Sequence, residues 1–382
     1  RRTHHSTSVW GRGMSPSLEI QVIAVVVAVA CALPGTFLVL QRMSMMSDAI
    51  SHAILPGIVV AFFFTGTLSS PWLILGAAMA GVLTVALVEV LRKTGLLKED
   101  AAIGIVFPAL FSVGVILIAR YAGDVHLDID AVLLGELAFA PFDRMVIGGI
   151  DIGPRSLIIM LCVLLLNLIF ILVFFKELKL TTFDRALAGA LGFAPALLHY
   201  ILMGIVSVTA VGAFDAVGSI LVVALMVAPP ASAYMLTDKL KNMIWLSVII
   251  GILSAISGYW MARVLDASIA GSMASMSGLF FVVIVFLAPG RGIWWTYRLK
   301  TLQKLRFSTE MLTIHLLNHE GLPEASTECR IDHLEDHLRW EHVFAQRAVR
   351  SAMQKEYVVL EHDVLLLTSK GRLFAQQSQL DL

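Results

Sequence analysis

Residues 41–64, "QRMSMMSDAISHAILPGIVVAFFF", place two ionisable residues at the start of a segment that is otherwise apolar enough to cross a membrane. Asp48 and His52 stand four residues apart, behind three methionines. In a helix, positions i and i+4 differ by about 40° in azimuth, so the carboxylate and the imidazole point the same way. A carboxylate at bilayer depth costs roughly 2.5–3.5 kcal/mol and normally faces a bundle interior or a substrate path. The pair is therefore a candidate site for a metal ion in transit.

The spacing alone leaves a second interpretation open. Asp48 would then be a helix N-cap at the wetted cytoplasmic end of the segment, and His52 would be packed without binding anything. One D-x-x-x-H pattern does not decide between the two.

Composition assigns the whole chain to the membrane class. Of 382 residues, 58% are apolar and 15% are charged, and the mean hydropathy is +0.84. A bilayer core needs about 20 mostly apolar residues in helical form. Nine runs meet this need: 18–40, 49–68, 72–91, 102–120, 155–175, 196–214, 216–236, 243–262 and 272–289. The prediction is an all-α polytopic membrane protein of about nine spans, or eight if the pair around Asp215 and Gly218 forms one broken helix.

Orientation follows from the distribution of Lys and Arg over the short loops. The basic segments are 92–100, 176–192, 237–242 and 291–306, whereas segment 123–130 has three Asp and no Lys or Arg. We expect an outside N-terminus and a cytoplasmic C-terminus, in a bacterial inner membrane. Residues 1–17 are interpreted as an N-terminal extension, 18–290 as the membrane domain, and 291–306 as a basic cytoplasmic connector.

The remaining residues, 307–382, are predicted to form a small soluble α+β domain. Between positions 300 and 382 there are 10 Lys plus Arg and 12 Asp plus Glu, a net charge of 10 − 12 = −2. Helical patterns near 308–320, 331–339 and 342–355 precede two β-rich runs that flank residues 361–363, as in a hairpin. This order is typical of a winged-helix fold.

Four motifs, taken in chain order, make the membrane domain similar to a known family. They resemble the membrane permeases of ATP-binding-cassette importers for manganese, zinc and iron (the ABC-3 type). The motifs are "RMSMMSDAISHAILPGIVVAF" (42–62), "LLKEDAAIGIVFPALFSVGVIL" (96–117), "TTFDRALAGALG" (181–192) and "AVGSILVVALMVAPPASAYML" (216–236). The resemblance extends from about residue 20 to residue 289.

The resemblance implies a transport subunit with several partners. These are a second permease chain, cytoplasmic ATPase subunits, an extracellular metal-binding solute-binding protein and the membrane lipid. It also implies that Asp48 and His52 line the metal pathway. The chain has no Walker A motif, so ATP hydrolysis is assigned to a partner and the chain itself is not expected to be an enzyme.

The third motif has the composition of a coupling helix that docks into an ATPase groove. Small residues allow close approach of another backbone, and the charged pair can fix the orientation. The candidate coupling residues are Asp184, Arg185, Ala186, Gly189 and Gly192. An ordinary interfacial helix is the alternative.

The donor types narrow the choice of transported ion. A carboxylate with an imidazole suits Mn²⁺, Fe²⁺ or Zn²⁺, whereas thiolates would favour Cu or Zn, and no Cys lies near the pair. Met43, Met45 and Met46 are soft donors but are interpreted as packing. Manganese is the first expectation and zinc the second, with no permanently bound cofactor.

The C-terminal domain resembles the winged-helix part of metal-dependent repressors of the diphtheria-toxin-repressor type, most clearly in "YVVLEHDVLLLTSKG" (357–371). A membrane-anchored metal-responsive transcription regulator is therefore an alternative function. The net acidic charge argues against DNA binding, which needs clustered Lys and Arg, and favours docking or regulation beside the ATPases. Cys329, His333 and His337, at i, i+4 and i+8, are candidate metal-sensing residues, although a solvated His-rich helix explains them as well.

A secondary transporter driven by ion gradients is a third class. It would carry intramembrane acids on several broken helices and visible internal repeats. Asp215 is the one further mid-chain acid of this kind, and the sequence has no repeat.

Overall fold

The computed structural model describes residues 15–66, 71–121, 137–147, 150–323, 325–331 and 340–380. The chain divides into two compact units, Arg1–Ala288 and Pro289–Leu382. The first is a helical membrane bundle with one β-hairpin, and the second is a small α+β unit.

Within the described residues, the elements of the first unit are mostly long apolar helices. They are α1 (Pro16–Leu40), α2 (Met45–Ala53), α3 (Leu55–Thr65), α4 (Pro71–Lys93), α5 (Glu99–Tyr121), β1 (Arg144–Ile147), β2 (Ile150–Pro154), α6 (Arg155–Val173), α7 (Phe175–Phe183), α8 (Arg185–Ala190), α9 (Pro195–Val217), α10 (Ser219–Leu236), α11 (Leu240–Leu265) and α12 (Ile269–Leu287).

Nine segments among the described residues are long and apolar enough to cross a membrane, which confirms the prediction of a polytopic all-α protein. The second span consists of α2 and α3 together, Met45–Thr65. Near Asp215 the chain forms two helices, because Gly218 has φ 79° and ψ 164° and separates α9 from α10. Glycine adopts positive φ without the steric cost that a Cβ brings.

The first span lies at the centre of the bundle, where it packs against α6, α9, α10 and α11. Pro34 lies inside this helix and has no N–H to donate to the carbonyl of Ala30. The side-chain amide of Asn167, on α6, donates to that carbonyl oxygen at 2.9 Å. The same amide nitrogen lies 3.0 Å from the hydroxyl oxygen of Thr209 on α9. One buried amide therefore satisfies the freed carbonyl and joins three spans.

Helix α1 makes a second contact that depends on a proline, at Gly35. Pro230 lies inside α10 and leaves the carbonyl of Met226 without its helical donor. Gly35 lies directly against this carbonyl, since a Cβ at Gly35 would overlap the oxygen. The two helices thus pack at backbone distance at the carbonyl that lacks its helical donor.

A proline that lacks an N–H also explains the break between α2 and α3. Pro56 is at the start of α3 and cannot donate to the carbonyl of His52. The next residue, Gly57, crosses Gly76 of α4 so closely that a Cβ on either one would overlap the other's carbonyl oxygen. Small residues of this kind allow membrane helices to pack at backbone distance.

A short antiparallel hairpin, β1–β2, precedes α6 and was not predicted from the sequence. The Arg144 guanidinium donates to an Asp151 carboxylate oxygen at 2.6 Å and lies 3.5 Å from a Glu19 oxygen at the start of α1. The hydrogen bond to Asp151 raises the pKa of Arg144 above its ordinary value. The hairpin is thereby attached to the first span. The acidic segment 123–130 lies outside the described residues.

The second unit has its own small core. Its described elements are α13 (Ile293–His319), α14 (Ala325–Glu328), α15 (His342–Gln354), β3 (Val358–Glu361), β4 (Val364–Leu367) and α16 (Ser369–Leu380). The core is formed by residues from α13, α15, both strands and the segment after α14: Leu312, Leu316, Cys329, Val349, Ala352, Val358 and Leu365.

The secondary structure of this unit matches the sequence in part. The β3–β4 hairpin turns through His362 and Asp363, both with positive φ of 51° and 64°, as a two-residue type I′ turn requires. The helix expected near 308–320 begins at Ile293 and includes the proposed connector, because no Gly or Pro interrupts residues 293–319. Helix α16 was not predicted, and the helix expected at 331–339 lies almost wholly outside the described residues.

The first testable prediction concerns Asn167. Asn167→Leu should lower the stability of the purified protein by about 0.6–1.7 kcal/mol, the average and the maximum for hydrogen bonds between membrane helices. The loss should be smaller in a Pro34→Ala background, since alanine restores an N–H for the Ala30 carbonyl. A double-mutant cycle of unfolding in detergent measures the difference. An equal loss in both backgrounds would show that the amide does not act through the freed carbonyl.

Candidate functional site

Asp48 and His52 meet on one edge of α2. The Nε2 atom of His52 lies 3.4 Å from Oδ1 of Asp48. Both side chains are partly open, with 32% of the His52 side chain and 43% of the Asp48 side chain exposed. Two metal-ligand groups are therefore within reach of one ion and accessible from outside the bundle.

The rest of α2 explains why these two side chains lie on the open edge. Met46, Ala49, Ile50 and Ala53 are buried against α4, α5, α9 and α10. Ser47 and Ser51 are also buried. Their hydroxyls donate to backbone carbonyls of the preceding turn at 3.1 and 2.8 Å. Helix periodicity places Asp48 and His52 on the remaining edge.

The N-cap interpretation of Asp48 does not hold in the structure. Ser44 occupies the N-cap position of α2, and Asp48 lies inside the first turn. An N-cap residue has non-helical backbone geometry and precedes the first turn. Asp48 therefore has no capping role, and its carboxylate is directed toward His52.

Two neighbours define the surroundings of His52. Its ring lies against Phe107 of α5, with centroids 5.8 Å apart and planes inclined by 34°. Its own carbonyl lacks the helical donor that Pro56 would otherwise supply. The helical hydrogen bonding is therefore interrupted directly after the pair, where α2 ends and α3 begins.

The three methionines before the pair have different environments. Met43 and Met46 are buried, as expected for packing residues, whereas 58% of Met45 is exposed. Met45 precedes Asp48 by three residues, near the same edge of the helix.

The candidate coupling segment forms a turn of helix bounded by two special residues. Asp184 is the N-cap of α8 and accepts a hydrogen bond from the Leu187 N–H at 2.9 Å. Gly192 follows the helix with φ 85°. The sequence suggested that Asp184 orients a partner, and the structure assigns it a capping contact within its own chain.

The surface of this segment is open. Asp184, Arg185, Ala186 and Gly189 are exposed, and a Cβ on Gly189 would meet no atom within 4 Å. Exposed apolar side chains border the small residues: Phe183, Leu187, Leu191 and Phe193. The structure brings the five candidate residues into one short exposed stretch.

Of the three metal-sensing candidates in the second unit, the structure describes Cys329. Its side chain is buried in the apolar core beside Leu312 and Leu365. Burial raises the pKa of the Cys329 thiol, which disfavours the thiolate that binds metals. His333 and His337 lie outside the described residues, so this three-residue site stays a prediction.

A polar contact near the start of the second span was not predicted from the sequence. His199 of α9 and Gln41 after α1 lie together, with His199 Nδ1 3.1 Å from Gln41 Oε1. These residues are 158 positions apart. No local pattern in the sequence relates them.

Comparison with known proteins decides the family. The family model described as "ABC 3 transport family" matches residues 18–288. The chain belongs to this family. Its members are transport components, and the match covers the segment in which the four motifs indicated a permease.

Two curated relatives and one solved structure match most of the membrane domain or more. The zinc transport system membrane protein TroD of Treponema pallidum is 47% identical over 360 residues, 94% of this chain and 98% of that protein. The manganese transport system membrane protein MntD of Bacillus subtilis is 47% identical over 288 residues, 75% of this chain and 97% of that protein. PsaBC from Streptococcus pneumoniae, solved in complex with Fab, has 30% identity and a TM-score of 0.59, covering 72% of this chain and 92% of that one. The assignment of this chain as a multi-pass membrane permease is confirmed.

The second testable prediction concerns the cap of α8. Asp184→Ala removes the acceptor for the Leu187 N–H and should destabilise the first turn by about 1 kcal/mol. Exchange of the Leu187 amide with deuterium should then become about fivefold faster. Asp184→Asn retains a side-chain oxygen and should exchange like the original protein. Equal protection in the alanine variant would contradict the capping role.

Proposed function

We propose that this chain is the permease subunit of an ATP-driven importer of divalent transition-metal ions, with Mn²⁺ as the first candidate and Zn²⁺ or Fe²⁺ next. The observation that carries the proposal is the 3.4 Å approach of Asp48 and His52 on the open edge of a membrane span. Ionisable side chains in such segments mark ion pathways. The names of TroD and MntD, which state zinc and manganese transport, support the cargo class.

The donor set favours manganese within that class. Asp48 offers carboxylate oxygens and His52 an imidazole nitrogen. Carboxylate oxygen suits Mn²⁺, whereas softer sites with sulfur are better suited to Zn²⁺ or Cu. Uptake competition between the two ions tests this choice, and stronger transport of Zn²⁺ would reverse the order without affecting the permease assignment.

We infer that a second permease chain completes the pathway. The Asp48–His52 pair lies on an open edge and supplies fewer ligands than a transition-metal ion commonly takes. An apolar groove beside α3 and α4 exposes Phe64, Trp72 and Met79. A second copy or a related permease covering these surfaces would enclose the ion between two chains.

The ATPase partner is proposed to dock at the coupling segment, Asp184, Arg185, Ala186, Gly189 and Gly192. Support comes from the exposure of these residues and from the space above Gly189. Arg185 provides a cation at the edge of the apolar and small-residue surface. A cytoplasmic location of this segment and of the second unit, with an extracellular solute-binding protein on the opposite side, completes the importer.

The second unit is proposed to be a winged-helix-like domain, residues 307–382, that acts beside the ATPases. The β3–β4 hairpin would be the wing, and α15 would be the helix before it. The MntD match covers 97% of that protein with 288 residues, so a relative named for transport has a length close to that of the first unit. The unit is therefore assigned an accessory role.

A transcription regulator is the second candidate function. Arg347 and Arg350 are exposed on α15, the position of a DNA-recognition helix. The net charge of −2 between positions 300 and 382 opposes this function. Salt-dependent binding of the full chain to operator-like DNA would establish it.

The third testable prediction concerns the pathway pair. Asp48→Ala and His52→Ala should each reduce uptake of radioactive manganese to the level of cells without the ATPase, because each variant removes one ligand from the ion. Met45→Leu, a change at the same end of the helix, serves as the matched control and should transport normally. Membrane insertion and co-purification of the ATPase should be unchanged in all three. Normal uptake by both alanine variants at equal expression would exclude the pair as pathway ligands.

The fourth testable prediction concerns coupling. Gly189→Trp fills the space above α8 and should abolish stimulation of ATP hydrolysis by the permease while leaving the membrane helices folded. Leu96→Trp, on the exposed loop between α4 and α5, is the control and should retain stimulation. ATPase activity of the reconstituted complex is the measurement. Full stimulation with the Gly189 variant would show that another surface receives the ATPase.

A further inference from the structure

Three potential metal ligands from two elements meet in the second unit. His315 and His319 lie at the end of α13, and Glu328 lies at the end of α14. One ligand atom from each of the three residues lies within 4.8 Å of the others. This set differs from Cys329, His333 and His337, and it lies in a different unit from Asp48 and His52.

The local fold explains how the three groups meet. His315 and His319 are separated by four residues on one helix, so their rings lie on one face with centroids 4.7 Å apart. The chain then reverses through Gly321, which has φ 79°. Helix α14 returns toward α13, and the backbone carbonyl of Glu328 lies 3.3 Å from His315 Nε2. The carboxylate is thereby positioned beside the two imidazoles.

One ring nitrogen of His319 lies in a buried position. Its Nδ1 atom is buried and has no hydrogen-bond partner among the residues that the structure describes. A buried nitrogen without a partner is destabilising, and such atoms are rare in folded proteins. A cation bound at this atom would satisfy it.

We propose that His315, His319 and Glu328 bind a divalent transition-metal ion with the coordination preferences of Zn²⁺. Two imidazoles and one carboxylate are a known three-ligand set for Zn²⁺, with a fourth position left for water or another ligand. Ligand atoms about 2.1 Å from one ion lie at most about 4.2 Å apart. The three groups are within 4.8 Å, so small side-chain rotations bring them into coordination.

Binding at this site would connect α13 to α14 and, through the segment after α14, to the hairpin. The carbonyl of Cys329, the residue after Glu328, accepts a hydrogen bond from the Leu365 N–H at 2.9 Å. Arg330 forms an antiparallel β-bridge with Val364. An ion shared by α13 and α14 therefore also fixes the segment that borders the hairpin. A ligand that binds only the folded form stabilises it by mass action, so the second unit would be more stable when cytoplasmic metal is plentiful.

The experiment uses the full-length chain in detergent, carrying Asp48→Ala and His52→Ala so that the transport pathway contributes no ligands. Equilibrium dialysis against Zn²⁺ followed by elemental analysis should give one ion per chain. Co²⁺ as a second probe should give the visible absorption of a four-coordinate nitrogen and oxygen site. Zinc should also raise the temperature at which the second unit unfolds.

Three single variants and one control locate the ion. His315→Asn, His319→Asn and Glu328→Gln should each lose the bound ion, the Co²⁺ absorption and the thermal shift, while far-ultraviolet circular dichroism stays unchanged. His362→Asn removes an exposed histidine from the hairpin turn of the same unit and should retain all three signals. The proposal is overturned if the pathway-deficient chain binds no Zn²⁺ and shows no Co²⁺ absorption. It is equally overturned if Glu328→Gln, which changes only the charge of the side chain, binds the ion as before. Neither result affects the function proposed for Asp48 and His52.

Discussion

The bundle depends on one constraint: inside an apolar layer, a backbone carbonyl that loses its helical hydrogen bond must find another donor or line a cavity. Prolines create such carbonyls at several positions in this chain. At Pro34 the Asn167 amide supplies the donor and joins α1, α6 and α9. At Pro230 the freed carbonyl meets the backbone of α1 at Gly35. The central position of α1 is a result of both contacts.

The same constraint acts directly after the candidate pair. Pro56 frees the carbonyl of His52 where α2 ends and α3 begins. Asp48 and His52 lie on α2, before this break, and their side chains approach to 3.4 Å on the open edge of the helix. Prolines therefore fix helix contacts at α1 and interrupt the second span directly after the candidate pair.

The sequence predicts what depends on local periodicity. The spans follow from the length of apolar segments, and the Asp48–His52 pairing follows from the i, i+4 rule. Contacts such as Asn167 with Ala30 depend on which helices become neighbours, which no single segment determines. Cys329 illustrates the converse, since its spacing suggested a ligand and its burial in a core formed by distant residues could not be predicted from that spacing. His315 and His319 have the same i, i+4 spacing as Asp48 and His52, so the sequence predicts that their side chains share a helix face. The position of Glu328 beside them depends on the turn at Gly321, which that spacing does not predict.

The Asn167 contact also has a consequence for how the protein is made. Helix α1 enters the bilayer during synthesis before α6 and α9 exist, so its Ala30 carbonyl first lies in the membrane without the amide that later satisfies it. Asn167 then enters within one of the most apolar spans, and Thr209 follows only with α9. Insertion of the individual helices and their later association are separable steps. The Ala30 carbonyl therefore gains its donor only after α6, the fifth span, has been inserted, and the contact among three helices is complete only with α9, the sixth.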